Sequence, residues 1–580
     1  MHVADSSYKA VIRMFPLRLR LGVLTLLFLM GCRATQKATS SPEWDQYVAD
    51  YLEAYFAAHP DVAVYAGRHE FDGKLPDFSA GALDKEVARL HSAHARASAF
   101  NENLDARQKF ERDYVIAAID SDLFWLEKAR APYRNLYFYN WSLDPQVYLT
   151  RPYAPLDQRM RAFIAFENAL PRALDQIRAN LQTPMPRTYA TIGRLKFGGL
   201  AEYFGHDVPP IFSAVKDTSL QSSFAEANAN AIRATKSLEA WFVSQQAKGN
   251  EDFALGKDLF QQMLFDTERV DTPLDRLQAI GHQDLDRNTS EMKDACAQFV
   301  PGKTLADCAM KVIADKAPGQ TLEAAREDLR ELKAFIVKND LASVPGTEEA
   351  QAEEAPPYQR WNIAYITIPG PYEKGLPSVY YISPPDPKWP AAEQKAYVPG
   401  KAKLLFVSAH EVWPGHFLQF LHANRVPSRF GQIFVGYAYA EGWAHYAEEM
   451  IWDAGFGAND PETHVGQLLE ALMRDARFLS AIGLHTGSMT VAESEKMFRE
   501  SAFADPGNAR QQAARGTFDP AYLNYTMGKL MIRKLRDDWT ATRGGRSAWR
   551  QFHDEFLSFG GPPIPLVRTA MLGASAGPAL

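Results

Sequence analysis

The strongest sign of chemistry in this chain is a pair of histidines with a glutamate beside the first, in segment 408–416, which reads SAHEVWPGH. In the common His-Glu-x-x-His motif, two histidines four residues apart on one helical face bind zinc, and the glutamate acts as general base. Here His416 follows His410 by six residues. An unbroken helix would place these side chains about 120° apart. Because Pro414 interrupts helical hydrogen bonds and Gly415 permits unusual backbone angles, we predict a bend that turns His416 back toward His410.

A third ligand is predicted on a second helix, where segment 441–449 reads EGWAHYAEE. Its first residue, Glu441, follows His416 by twenty-five residues. Two imidazoles and one carboxylate would bind one Zn²⁺ ion and leave an open position for water, as catalytic zinc sites require. The sequence therefore predicts a zinc centre made by His410, His416 and Glu441.

The neighbouring acidic and histidine residues are assigned supporting roles. Zinc lowers the pKa of water, and Glu411 is placed to accept its proton and to pass it to a leaving amine. His445 and Glu448 lie on the same helical stripe as Glu441, so we expect them to orient the ligands. We expect Glu449 to face solvent.

Helical patterns dominate the elements that must position these residues. Ser41-Pro42 predicts a helix start, and apolar residues recur at helical spacing in residues 156–180, 225–246 and 322–337 and again from about 402. Two short β-branched and aromatic runs, 362–368 and 378–383, are predicted to be strands. The acidic, proline-bounded stretch 345–357 between them and the earlier helices is predicted to be a solvated loop. The sequence therefore indicates a mainly α fold with a small β-sheet near residues 362–383.

The N-terminus has the pattern of a lipoprotein signal. Three arginines precede the short apolar run 21–30, which ends in Leu29-Met30-Gly31-Cys32. This ending resembles a lipobox, in which Cys32 is lipidated and anchors the chain to a membrane. An uncleaved anchor or a simple signal peptide with a chance cysteine is the alternative. Because Arg33 stands where aspartate would resemble an inner-membrane retention signal, we predict the periplasmic face of the outer membrane.

The net charge and the cysteine content limit the partners and the chemistry that can be expected of this protein. The net charge of −7 without a basic block argues against nucleic acid as a partner. Only Cys296 and Cys308 remain after the lipobox. They either form a disulfide in an oxidising periplasm or remain as buried thiols. Neither has the basic surroundings of a nucleophile.

The central pattern resembles a known family. His-Glu-x-x-Pro-Gly-His-x-x-Gln followed by Glu-Gly-Trp-Ala-x-Tyr-Ala-Glu is similar to the bacterial family catalogued as domain of unknown function 885, a distant relative of the gluzincin zinc metallopeptidases. The resemblance extends from about residue 45 to 560. It implies a large helical fold around a deep cleft, as in thimet-type oligopeptidases, carboxypeptidase Taq and angiotensin-converting enzyme.

The resemblance also implies roles for residues outside the metal motif. The strand that contains Tyr380 and Tyr381 is expected to bind substrate by pairing with an extended peptide. His485 and Tyr525 are expected to donate hydrogen bonds to the oxyanion, with a helix cap and core packing as their respective alternatives. Arg477 is expected to hold a substrate carboxylate.

These observations predict a zinc-dependent hydrolase that cleaves peptide bonds in oligopeptides within the bacterial envelope. The alternatives are an inactive lipoprotein that binds peptides or other partners on the same scaffold, and a zinc hydrolase of another cell-envelope amide. The predicted organisation is a signal peptide (1–31), a lipidated tether (32–41), an N-terminal helical half (42–345) and a zinc-site-bearing half of the same fold (358–565).

Overall fold

Helices make up most of the computed structural model, which describes residues 40–100, 103–317, 321–356, 360, 363–385, 387 and 390–580. The α-helices are α1 (Pro42–Ala58), α2 (Pro60–Ala66), α3 (Ala80–Ala99), α4 (Ala106–Leu123), α5 (Ala131–Arg134), α6 (Gln146–Thr150), α7 (Leu156–Asn180), α8 (Arg187–His206), α9 (Val208–Phe212), α10 (Thr218–Gln246), α11 (Lys257–Glu268), α12 (Leu274–Phe299), α13 (Leu305–Ala314), α14 (Thr321–Lys338), α15 (Ala391–Tyr397), α16 (Lys401–Glu411), α17 (His416–Ala423), α18 (Arg429–Ile433), α19 (Tyr437–Asp453), α20 (Pro461–Thr486), α21 (Val491–Ser501), α22 (Pro506–Phe518), α23 (Asn524–Thr540), α24 (Trp549–Leu557) and α25 (Ile564–Leu572). The mainly α fold with a small sheet is thus confirmed.

The sheet contains three strands within the described residues, β1 (Ala350–Glu354), β2 (Ala364–Thr367) and β3 (Ser378–Ile382), in the order β1-β3-β2. The strand β1 is parallel to β3, and β2 is antiparallel to it. Two expectations are corrected here. Part of the acidic stretch expected to be a solvated loop forms β1, because pairing with β3 overrides its low strand propensity. In addition, β3 is central and paired on both sides, so it has no free edge for a substrate.

The helix α20 is the centre of the half that carries the motif. It is buried along almost its whole length and packs against α12, α16 and α19. The helices α19 and α23 approach so closely that a Cβ on Gly442 would lie 2.5 Å from the Cα of Gly528. Glycine at both positions therefore fixes the spacing of α19, the helix that contains Glu441.

The predicted halves share a hydrophobic core. The core of the motif-bearing half also includes residues of α11 to α14, such as Leu277 and Leu332. A disulfide joins Cys296 on α12 to Cys308 on α13, as one of the two alternatives expected. Ser41 caps α1 through a hydrogen bond from the backbone N–H of Trp44. In the part of the chain that is described, no helix combines the length and apolarity needed to cross a membrane.

Candidate metal centre

Three predicted ligands converge from three helices. His410 lies near the end of α16, His416 begins α17, and Glu441 lies in α19. The Nε2 atoms of both histidines are 3.3 Å from the Glu441 Oε2 atom. One ligand atom from each of the three residues lies within 4.8 Å of the other two. Such a group has the size and the donor types of a catalytic zinc site.

The bend between α16 and α17 brings the two histidines together. The Gly415 N–H donates to the Ala409 carbonyl at 2.9 Å, and the Trp443 indole donates to the Pro414 carbonyl at 2.9 Å. A Cβ at position 415 would lie 1.7 Å from the His410 carbonyl oxygen. Only glycine fits there, since no side chain can occupy the space where the bend folds back onto α16.

The donor set fits a cation. Glu441 Oε2 is buried without a hydrogen-bond partner, although it faces both histidines. Burial raises the pKa of Glu441, but the two histidines outweigh that effect and hold it well below the usual value. Burial lowers the pKa of His410, whereas the adjacent carboxylates of Glu441 and Glu448 raise it to about 9. Both pKa shifts show that positive charge is favoured at this point, and a divalent ion would supply it.

The buried carboxylate of Glu448 fixes the orientation of His410, the first of the predicted ligands. Glu448 is fully buried, and its Oε1 accepts a hydrogen bond from His410 Nδ1 at 2.7 Å. With the proton on Nδ1, the Nε2 lone pair faces Glu441, as a metal ligand requires. Arg474 lies 3.0 Å from Glu448 Oε1 and 2.7 Å from Glu470 Oε2, so it fixes Glu448. Sequence reasoning gave Arg474 no role, because spacing along α20 does not reveal a partner on α19.

His445 and Glu449 have different surroundings from those of Glu448. His445 is completely buried, and its Nδ1 is 3.5 Å from Glu448 Oε2, so it adjoins the carboxylate that orients His410. The solvent exposure predicted for Glu449 is wrong. That side chain is buried and pairs with Arg287, Lys529 and Arg533, which lie on α12 and α23.

Glu411 is the last residue of α16, directly after a ligand. Its carboxylate is half-buried and feels the charges of His410, His416 and Glu441. Burial raises its pKa, which the nearby histidines only partly offset. A carboxylate whose pKa moves toward neutrality is better suited to accept and return a proton near pH 7.

Tyr525, at the start of α23, lies beside His410. Its ring is 6.2 Å from the His410 ring, centroid to centroid, and nearly parallel to it. Burial raises the pKa of its hydroxyl, so the group remains a hydrogen-bond donor. The Arg477 guanidinium lies 4.9 Å from the centroid of the same ring. Tyr525 therefore lies beside His410, and Arg477 lies beside Tyr525, while their roles toward a substrate stay predictions.

His485 is held elsewhere. Its Nε2 donates to the Gly516 carbonyl at 2.7 Å, and its Nδ1 accepts from the Leu255 N–H at 3.4 Å. Its ring stacks on Phe260, and burial lowers its pKa to about 4. Both ring nitrogens are engaged by the backbone, which leaves no donor for an oxyanion. These contacts correct the expected oxyanion role of His485 and give it a structural one.

Tyr380 and Tyr381 point to opposite faces of β3. Tyr380 is buried, and its hydroxyl lies 3.2 Å from Ser408 Oγ on α16, so it supports the metal-binding helix. Tyr381 lines a cavity of about 230 Å³ that none of the metal-binding side chains lines. Tyr381 therefore lies at a cavity apart from the predicted ligands, and Tyr380 packs against the helix that contains His410. The predicted lipidation site, Cys32, lies outside the described residues.

Two similar solved structures share the fold of this chain. A candidate lipoprotein of unknown function from Shewanella oneidensis has a TM-score of 0.73 and 20% identity, over 92% of this chain and 100% of that one. A candidate lipoprotein from Colwellia psychrerythraea has a TM-score of 0.77 and 17% identity, over 91% and 98% of the two chains. A candidate oligoendopeptidase F from Bacillus anthracis reaches only a TM-score of 0.32 at 13% identity, over 83% and 92%, which is too weak to bear on function.

Sequence comparison assigns the family. No curated protein matches the chain significantly. The profile of a family described as bacterial protein of unknown function (DUF885) matches residues 60–571, which is most of the chain. The resemblance expected from the two central motifs is thereby confirmed at the level of the family. This chain belongs to the bacterial DUF885 family.

Proposed function

We propose that this protein is a zinc-dependent hydrolase that cleaves peptide bonds in oligopeptides. The observation that carries the proposal is the convergence of His410, His416 and Glu441 on one point, with Glu411 directly beside the first ligand. A purely structural zinc site would be closed by a fourth protein ligand. Among the described residues the cluster contains three such ligands, which would leave a position open for water, and Glu411 follows His410 directly in the chain.

The residues around the centre divide the work of hydrolysis. A zinc ion in such a site supplies Lewis acidity, which lowers the pKa of water and polarises an amide carbonyl. Glu411 accepts the proton of the attacking water and transfers it to the leaving amine. The Tyr525 hydroxyl donates a hydrogen bond to the oxygen that becomes negative in the transition state. Glu448 and Arg474 keep the His410 ring in one orientation throughout.

The edge strand β2 is a better candidate than β3 for main-chain contact with a substrate. It pairs with β3 on one side only, and it lies against α16. An extended peptide along the outer edge of β2 would gain main-chain hydrogen bonds and pass close to the metal-binding helix. We therefore propose that a substrate peptide pairs with Ala364–Thr367 of β2 and not with the strand that contains Tyr380 and Tyr381.

We also propose that the protein is a lipoprotein of the bacterial envelope, anchored at Cys32 and facing the periplasm. The lipobox supports this location, and so do the lipoprotein descriptions of the two similar structures. The disulfide within the chain agrees with an oxidising compartment. The substrates would then be peptides that enter or leave the envelope.

The test combines metal content with turnover in the full-length protein. We expect one zinc per chain in the parent and much less in His416→Ala and Glu441→Ala. The parent should hydrolyse peptides from a mixed library, whereas Glu411→Gln should retain zinc and lose turnover. Zinc binding with no hydrolysis of any peptide would instead favour the binding protein or the hydrolase of another amide. A parent that takes up no zinc would refute the proposal.

A further inference from the structure

Three arginines lie close to the Tyr525 ring. The guanidinium carbons of Arg474, Arg477 and Arg515 lie 5.9, 4.9 and 5.8 Å from the ring centroid. Arginines at such distances interact favourably with the face of an aromatic ring. Like charges gathered this closely nevertheless repel one another, so each needs an anion nearby.

Two of the three arginines have their anions within the protein. Arg474 pairs with Glu448 and Glu470, and Arg515 pairs with Asp519 at 2.9 Å. These two guanidinium groups are therefore compensated before any substrate binds.

Arg477 differs from its neighbours. Its Nε donates to the neutral Gln512 amide oxygen at 2.9 Å, and it forms no ion pair in the part of the chain that the structure describes. Burial lowers the pKa of Arg477, and the charge of Arg515 lowers it further. Both effects favour the arrival of an anion, and the planar guanidinium matches a carboxylate.

Solvent reaches this region. The Arg477 side chain is half-buried, while those of Arg515 and Glu441 retain 26% and 21% of their full exposure. A partly exposed guanidinium beside a partly exposed metal ligand can contact a molecule that enters from solvent. The uncompensated charge therefore lies where a substrate would meet it.

We infer that Arg477 binds the free carboxylate at the C-terminus of a peptide, so that the enzyme removes short pieces from that end. This inference rests on the proposed hydrolysis. The Arg477 guanidinium is 4.9 Å from the Tyr525 ring, which is 6.2 Å from the His410 ring. These two distances set an upper limit on the separation of Arg477 and His410, and an extended chain advances about 3.3–3.6 Å per residue, so the cleaved bond lies within about three residues of the bound carboxylate. Water adds across the C–N bond, which yields a carboxylic acid on one fragment and an amine on the other.

The test uses pairs of peptides that differ only at the C-terminus, free or amidated, with the zinc-loaded full-length protein. The parent should prefer the free peptide. Arg477→Gln should raise KM for that peptide about 10- to 100-fold, the range of a charge-assisted hydrogen bond, with little change in kcat. The amidated peptide should be affected much less. Arg477→Lys should recover part of the preference, and the exposed Arg510→Gln on α22 should behave as the parent does.

Other outcomes would overturn the assignment. Equal cleavage of free and amidated peptides by the parent would refute it while leaving the hydrolase intact. So would a preference that follows an internal glutamate or aspartate instead of the chain end. If the parent hydrolyses no peptide, the carboxylate site is tested on its own by measuring peptide binding to the zinc-loaded protein by calorimetry. Tighter binding of free than of amidated peptide, lost in Arg477→Gln, would preserve the carboxylate site although hydrolysis fails, and equal binding would refute both.

Discussion

Replacing Glu448 with glutamine tests whether the buried carboxylate behind His410 prepares that histidine to bind metal. Glutamine has nearly the same shape, and its oxygen can still accept the His410 Nδ1 proton that Glu448 accepts at 2.7 Å. It lacks the negative charge, however. The change therefore weakens a hydrogen bond to a charged group to one between neutral groups, and it makes His410 a poorer donor to the metal.

The expected magnitude follows from that difference. A hydrogen bond to a charged group contributes about 1.5–3 kcal/mol and a neutral one about 1 kcal/mol. Changes to partners that orient metal-binding histidines lower metal affinity about 10- to 100-fold, which corresponds to about 1.4–2.7 kcal/mol. We therefore expect the zinc Kd of Glu448→Gln to rise by one to two orders of magnitude, as measured by titration against a competing chelator.

Glu449→Gln supplies a matched control. The adjacent side chain lies on the same helix and is also buried, but its partners are Arg287, Lys529 and Arg533 instead of a ligand. It should lower the free energy of unfolding and leave the zinc Kd unchanged. The reasoning fails if Glu448→Gln binds zinc as tightly as the parent, or if both variants lose affinity equally, since the loss would then reflect general destabilisation.

Two further predictions concern the bend and a buried acid. Gly415→Ala should lose zinc while keeping its helical circular dichroism, because the new Cβ would collide with the His410 carbonyl; a variant with normal zinc content would contradict the bend. Glu167 is fully buried without a hydrogen-bond partner, and burial raises its pKa from 4.5 to about 9. The folded chain then keeps a proton that the unfolded chain releases, so stability falls as pH rises between these values. Glu167→Gln should be more stable than the parent by about 3 kcal/mol at pH 7 and equal to it below pH 4.5, in denaturant titrations at both pH values. Equal stability at pH 7 would show that Glu167 has a partner.

The sequence predicted the elements whose own residues determine them. The helix predicted at 156–180 coincides with α7, and Ser41 and Pro42 begin α1 as expected, because capping and periodicity are local properties. The strand β1 escaped prediction since nothing in Ala350–Glu354 favours a strand. It exists because β3 offers it hydrogen-bond partners, and β3 is distant in sequence.

The candidate site could likewise be predicted only as far as local sequence determines it. Residue types and the Pro414-Gly415 pair were enough to identify the three ligand side chains that the structure brings together. The surroundings of His485 and Glu449 were not predictable, because they depend on which helices pack beside them. The role of Arg474 was hidden for the same reason, since its partner Glu448 lies on another helix.

The pairing of charged side chains around the centre indicates where a metal ion and a substrate would bind. A buried carboxylate is costly unless it is paired, and Glu448 and Glu470 have Arg474 as a partner. In the described residues, Glu411 and Glu441 have no lysine or arginine at ion-pair distance, and the charges of both histidines act on both carboxylates. Positive charge is thus missing where a metal ion would bind. Beside Tyr525, the described residues place no carboxylate at ion-pair distance from Arg477. A zinc ion and the carboxylate end of a peptide would supply the two missing charges, with the bond to be cleaved between them.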